Sequence, residues 1–225
     1  MKCPKCQADN TTGASRCNAC GASFEEASSA APPPAASAPV VAYQSSFGDQ
    51  FNAALIFWKM NLGDLAVLTL VLMLLVWIPI ANIGFIAGYV RSILKVARGE
   101  GRAQVGDLFN AWDCFGNLLV YAVLFLIASL IVNIVPVLGQ LASLALGFVA
   151  MPGAYLIIDR KVEFADAIKW SIASIQSRPV DWLLSYVVGS VISGVGMMLL
   201  FIGVIVTMPL GSLIMALQYE NAKPN

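Results

Sequence analysis

Three long stretches without one charged side chain organise this sequence: Leu65 to Val90 (26 residues), Cys114 to Ile158 (45 residues) and Trp182 to Tyr219 (38 residues). A helix needs about 20 apolar residues to cross the hydrocarbon of a bilayer, so the second and third stretches have room for two crossings each. Both break near the middle at residues that favour turns, from Asn133 to Gln140 and, more weakly, at Phe201-Ile202-Gly203. The first is interrupted in the same way between Ile78 and Gly84, at Pro79. The pattern predicts an all-α polytopic membrane protein of about six transmembrane helices arranged as three hairpins. Composition agrees, because a chain of 225 residues that is 59% hydrophobic and 12% charged cannot bury its apolar surface in water.

Charge placement sets the expected orientation. All 13 Lys and Arg, and all 13 Asp and Glu, fall on the side that the two termini share in this reading. The positive-inside rule then makes the termini and the loops Arg91 to Asp113 and Asp159 to Asp181 cytoplasmic. A five-helix count, with Leu65 to Val90 as one kinked span, places Arg91, Lys95, Arg98 and Arg102 on the opposite side, against that rule. The first hairpin is short: its two arms reach about 20 Å each, against a hydrocarbon thickness of roughly 30 Å. Either Arg91 snorkels to the interface or this hairpin enters without crossing. Snorkelling makes Arg91 an interface residue and not a substrate ligand.

The segments that precede the hairpins repeat. Phe47 to Ala54 and Val105 to Trp112 share Gly-Asp-x-Phe-Asn-Ala, and Val162 to Ile168 is a looser third copy. Apolar residues recur at helical spacing in each: Phe47, Phe51, Leu55 and Trp58; Val105, Leu108, Phe109, Trp112 and Phe115; Val162, Ala165, Ile168, Ile172 and Ile175. Each is expected to be an amphipathic interfacial helix, with Trp58, Trp112 and Trp170 at headgroup level. The unit, an interfacial helix and then a hairpin, spans about 47–104, 105–160 and 161–222 in a parallel repeat within a membrane domain of residues 47–222.

The N-terminus has a different chemistry. Cys3-x-x-Cys6 and Cys17-x-x-Cys20 form two knuckles ten residues apart, the spacing of a tetrahedral set of four thiolates around one zinc ion. Residues 1–26 are therefore read as a zinc ribbon whose closed metal site is structural, since four sulfur ligands leave no position for water or substrate. Lys2, Lys5 and Arg16 balance Asp9, Glu25 and Glu26, and Phe24 is the ribbon's only aromatic residue. With no basic face or stacking platform, the ribbon is expected to dock a protein and not nucleic acid. No apolar leader follows Met1, and reduced thiolates belong in a cytosol, so the ribbon is expected there. From Ala27 to Ser46, sixteen of twenty residues are Ala, Ser or Pro, the composition of a flexible linker.

Other candidates have bland readings. Histidine is absent, which removes the usual general base at neutral pH and argues against an enzyme. Asp64 and Asp181 are read as N-caps, Cys114 as a small buried hydrophobe, and Gly189-x-x-x-Ser193 as a close-packing stripe. Asn82, Asn133 and Gln140 are expected at the far turns, bonded to water or across helices. The basic set Arg91, Lys95, Arg98 and Arg102 is placed beside anionic headgroups.

The C-P-K-C and C-N-A-C knuckles, Pro152-Gly153-Ala154-Tyr155, Phe164 to Ser171 and Thr207-Met208-Pro209 resemble those of a broad group of prokaryotic six-helix membrane proteins. These are similar to the membrane domain found ahead of some glycerophosphodiester phosphodiesterases, and some carry an N-terminal zinc ribbon. The resemblance implies architecture only; charge placement and the reduced thiolates lead to the expected inner (cytoplasmic) membrane location with both termini cytoplasmic. The functional expectation is a non-enzymatic membrane scaffold or adaptor whose ribbon docks a protein partner and whose interfacial helices shape the bilayer. Its partners are membrane lipids and that docked protein, and a homo-oligomer is compatible with it. The alternative is a transporter or lipid-handling protein for a neutral or amphipathic substrate.

Overall fold

The computed structural model describes Asp9, Thr11, Ala19 and residues 46–134, 136–198 and 202–224. The cysteines Cys3, Cys6, Cys17 and Cys20 and linker residues 27–45 lie outside the described residues. The chain divides into two compact units, Met1–Val40 and Val41–Asn225, and the second holds every helix among the described residues.

Those helices are α1 (Phe47–Met60), α2 (Leu62–Leu75), α3 (Ala81–Ala97), α4 (Phe115–Val132), α5 (Pro136–Arg160), α6 (Phe164–Ser177), α7 (Pro179–Met198) and α8 (Ile202–Ala222). Two short 3-10 segments, Val105–Phe109 and Trp112–Cys114, precede α4, and no strand element occurs among the described residues. A surface segment, a first arm and a second arm thus recur three times. The repeated aspartate explains how the first two copies begin. Asp49 accepts the Ser46 amide (3.1 Å) and hydroxyl (2.8 Å), and Asp107 accepts the Gln104 amide (3.0 Å). Each carboxylate stands at the third helical position, satisfies an orphan donor and meets the positive end of the helix dipole.

Among the described residues, four helical segments have the length and apolar character to cross a bilayer: Val105–Val132, Gly139–Arg160, Pro179–Gly196 and Gly203–Ala222. A fifth is reached only if α1 and α2, bent by 86° at Asn61, count as one. The expectation of about six crossings is corrected at the first hairpin, where α2 has 14 residues and α3 has 17. One kinked span over Leu65 to Val90 is not what forms, because α2 and α3 pack side by side, with the Thr69 and Tyr89 hydroxyls 3.3 Å apart. Arg91, Lys95 and Arg98 meet Asp113, Asp107 and the Asp159–Glu220 pair at one common end of the bundle.

The second interfacial helix is a further correction. Where an amphipathic helix is expected, residues 105–114 form two 3-10 turns, and two carbonyls that a longer helix would use are taken by side chains, one from α3 and one from within the segment. Arg91 Nη1 donates to the Asn110 carbonyl (2.8 Å), and the Cys114 thiol donates to that of Ala111 (3.2 Å). The α1 and α6 helices form as expected, but on different faces. Gln50, Ala53, Ala54 and Phe57 are the buried residues of α1, and Ala167, Ser171 and Ser174 those of α6. The predicted stripes lie beside these faces, with Phe47, Phe51, Leu55 and Trp58 half-buried and Ile172 exposed.

Packing follows a cyclic order. The 3-10 segment of the second repeat rests on α3, α6 rests on α5, and α1 rests on α8, so each surface segment covers the second arm of the repeat before it and the first closes on the last. Small residues permit this approach. A Cβ on Gly88 of α3 would stand 2.5 Å from the backbone of Asp107 and Leu108, and one on Gly153 of α5 would stand 3.0 Å from the Ala167 carbonyl.

Prolines inside the second arms add a second device. The Trp58 indole of α1 donates to Val206 O (2.8 Å), three residues before Pro209, and the Ser171 hydroxyl of α6 donates to Val149 O, three residues before Pro152. A helix proline loosens the carbonyls one turn back, and in an apolar surround these need a donor from a neighbouring helix. At the centre stands α8, buried from Leu213 through Glu220.

Candidate functional site: the charged end of the bundle

An acidic residue in the last turn of a helix opposes the macrodipole and therefore calls for a cation. Two such residues, Asp159 of α5 and Glu220 of α8, meet Arg98 at the C-terminal end of α3. Arg98 Nη2 lies 2.6 Å from both Asp159 Oδ1 and Glu220 Oε1, and its Nε donates to the same Glu220 oxygen at 2.8 Å. One residue from the C-terminal end of each second-arm helix thus enters a single knot. Lys223 Nζ completes it on Glu220 Oε2 (2.6 Å), and the Tyr219 hydroxyl donates to Asp159 Oδ2 (2.9 Å). The Glu220 side chain is 2% exposed, while that of Arg98 is 21% exposed. Burial by itself disfavours the Arg98 charge; the bonds and charges of Glu220 and Asp159 more than offset this and raise its pKa further.

A cleft of about 430 Å³ opens above this knot, lined by Arg98, Glu100, Asp159, Arg160, Glu220 and Lys223. Three cations face three carboxylates there. Aromatic rings support its floor: Tyr219 lies 5.6 Å from Tyr155 and 5.8 Å from Trp170, centroid to centroid.

Two further ties bind the repeats. Asp113 receives Arg91 Nη1 and Lys161 Nζ, each at 2.7 Å, joining all three repeats through one carboxylate. Arg91 Nε also donates to Ile158 O at 3.0 Å. Asp107 Oδ2 accepts Ser92 Oγ and Lys95 Nζ, each at 2.7 Å. The chemistry of these groups is cross-linking: Arg91, Lys95, Arg98 and Lys161 are each held by carboxylates or carbonyls from another repeat, and Lys223 adds a local bond to Glu220.

Other sequence-predicted residues take simpler places. Asp64 and Asp181 stand inside the first turns of α2 and α7 and not at the N-cap positions, where they still face the positive end of the dipole. Cys114 is buried, as expected. Gly189 packs on Gly211 of α8, where added Cβ atoms would lie 2.4 to 3.1 Å from the facing carbonyls, so the small-residue stripe is a packing surface. Asn82 donates to Val76 O (3.4 Å) and Asn133 to Ser143 Oγ (2.7 Å). Arg102 and Gln140 are exposed. Sequence reading did not single out Asp159 and Glu220 as partners of Arg98, although their position at helix C-termini was a signal. It also passed over Trp182, which is 1% exposed and donates its indole N–H to Ser174 Oγ (3.0 Å).

In comparisons with known proteins, no family model, no curated protein and no solved structure matches the chain.

Proposed function

We propose that this chain is a non-enzymatic integral membrane scaffold, with its charged end and both termini on the cytoplasmic side and an N-terminal zinc ribbon that docks a protein partner. In this reading Cys3, Cys6, Cys17 and Cys20 hold one structural zinc, and the Ala/Ser/Pro linker gives the ribbon reach. The observation that carries it is the knot of Arg98, Asp159 and Glu220. Charged groups at the bundle's end are committed to joining the repeats, which suits a rigid platform. The resemblance to six-helix membrane proteins with zinc ribbons belongs to the same reading, as do shaping of the bilayer by the surface helices and self-association.

The test is crosslinking in cells with the full chain and with residues 1–26 deleted, followed by identification of the captured proteins. Loss of a defined set of partners on deletion is expected, together with about one zinc per chain that disappears when Cys3 and Cys6 become serine. An unchanged partner set overturns the docking role. One observation favours lipid handling as a second reading: an apolar groove of about 350 Å³ between α3, α4, α5 and α8, bordered by Tyr89, Tyr121 and Tyr155. Retention of a stoichiometric lipid through purification, lost when Ala154 is replaced by Phe, would move the conclusion there.

A further inference from the structure

The first hairpin differs from the others in depth, and two side-chain bonds bracket the reference level. Arg91 Nε donates to Ile158 O at 3.0 Å and Arg98 Nη2 to Asp159 Oδ1 at 2.6 Å, so the end of α5 stands level with the stretch of α3 between Arg91 and Arg98. Below that stretch α3 continues to Ala81 for about 15 Å from Arg91 or about 26 Å from Arg98, whereas α5 continues from Ile158 to Pro136 for about 33 Å. On either bond the first hairpin stops short of α5. The first arm agrees: α2 descends about 21 Å from Leu62, and it leaves the surface helix α1 at a bend of 86°. Hydrocarbon is roughly 30 Å thick.

The tip of this hairpin is built for an apolar medium. Trp77 is 84% exposed, Leu74 70% and Ile80 64%, and none of them has a charged neighbour in the chain between Leu65 and Val90. A backbone placed in lipid must bond to itself. Here Ile78 N donates to Leu75 O, Ala81 N to Pro79 O and Asn82 N to Ile78 O, while Pro79 brings no N–H. The Asn82 side chain covers Val76 O (3.4 Å). Ile80 adopts φ 65°, a conformation costly for a β-branched residue, and it turns the chain back within four residues.

We infer that the α2–α3 hairpin is re-entrant: it enters from the charged side, turns near the bilayer midplane, and presents Trp77, Ile78 and Ile80 to the acyl-chain ends of the opposite leaflet. The first repeat then adds volume to one leaflet only, whereas the second and third span both. That asymmetry identifies the surface through which a membrane scaffold bends the bilayer, and it rests on the scaffold reading proposed above.

The test compares the tips of two hairpins in the full-length protein. Trp77→Cys, Ile80→Cys and Ile134→Cys variants are treated with a membrane-impermeant maleimide, in intact cells and in inverted vesicles, against the unsubstituted chain. Ile134, 77% exposed at the turn after α4, is expected to label from the side opposite the termini. The Trp77 and Ile80 positions are expected to label at least tenfold more slowly from either side. In liposomes, lipids brominated near the chain ends should quench Trp fluorescence in the parent and much less in Trp77→Phe. Labelling of Trp77→Cys as fast as Ile134→Cys, or no labelling of Ile134→Cys from either side, overturns the inference.

A variant with seven extra apolar residues in each of α2 and α3 should expose its tip to the reagent and lose any constriction of liposomes. If the native tip is protected but liposomes keep their shape, the re-entrant hairpin stands and the bilayer-shaping role falls.

Discussion

The same six-residue signature opens two segments that fold differently. Gly48-Asp49-Gln50-Phe51-Asn52-Ala53 begins the 14-residue helix α1, and Gly106-Asp107-Leu108-Phe109-Asn110-Ala111 ends as a five-residue 3-10 turn. Both aspartates cap an amide three residues upstream, so the local signal to start a helix is read in the two copies alike. What differs is the surround. In the second copy Arg91 takes the Asn110 carbonyl, and Asp113 is held between Arg91 and Lys161. In the first copy the helix runs on to Met60. The signature sets where a segment begins; neighbouring repeats set how far it goes.

Removing the shared aspartate should break the likeness most. Asp107 Oδ2 takes Ser92, Lys95 and the Gln104 amide at once, all part-buried or at the segment's start. Asp107→Ala is expected to destabilise the domain by about 2–3 kcal/mol, because Lys95 and Ser92 lose their acceptor in a poorly hydrated site. Thermal unfolding in detergent micelles should show a fall of several degrees. A midpoint within one degree of the parent would mean that the tie between α3 and the 3-10 segment is decorative.

Next in size is the glycine under the second copy. Gly88→Ala places a methyl group 2.5 Å from the backbone of Asp107 and Leu108, which must move away, at a cost of about 2 kcal/mol. Gly48→Ala in the first copy meets only Ser46 Oγ, at 3.7 Å, and is expected to be neutral or to stabilise α1 by a few tenths of a kcal/mol. The pair measured together separates strain from helix propensity. Equal effects would contradict the packing described for α3.

The two proline-associated bonds form a matched set with a smaller effect. Trp58→Phe removes the donor to Val206 O and keeps an aromatic ring, and Ser171→Ala removes the donor to Val149 O. Each is expected to cost about 1 kcal/mol, seen as faster amide exchange on the turn before Pro209 or Pro152. Exchange unchanged at both turns would show that those carbonyls do not depend on the surface helices.

These cases also show why the sequence was legible in some places and opaque in others. The first two hairpin turns were readable because Asn133, Pro136 and Pro79 are poor residues for the middle of a span, and the helices do break there. The inward faces of α1 and α6 were not. In lipid the outward face is as apolar as the core, so periodicity finds apolar stripes but not the side that packs. The packed sides are instead marked by small residues, Ala53 and Ala54 in one helix and Ala167 and Ser171 in the other. Depth was half-readable: Leu65 to Val90 is visibly short for two spans, but the level of α3 against α5 had to come from the bonds of Arg91 and Arg98 to Ile158 and Asp159. The Arg98 knot joins residues 61 and 122 positions apart in the chain, and no local pattern encodes such a pairing.

The smallest predicted effect sharpens the comparison from the other side. Asp49 caps an amide as Asp107 does, but it sits on an exposed turn, bonded to the Ser46 amide and hydroxyl. Water can replace what Asp49→Ala removes, and solvent screens its interaction with the helix dipole. The loss should therefore be about 0.5–1 kcal/mol and confined to the first turn of α1. The turn is short, and the helix beyond it is docked on α8 through Trp58, so fraying should stop before Gln50, which is 2% exposed. Hydrogen exchange should quicken at the amides of Gly48 and Asp49 while the unfolding midpoint stays within a degree or two. If the whole of α1 exchanged faster, the cap would be holding the helix in place, and the two aspartates would do the same work after all.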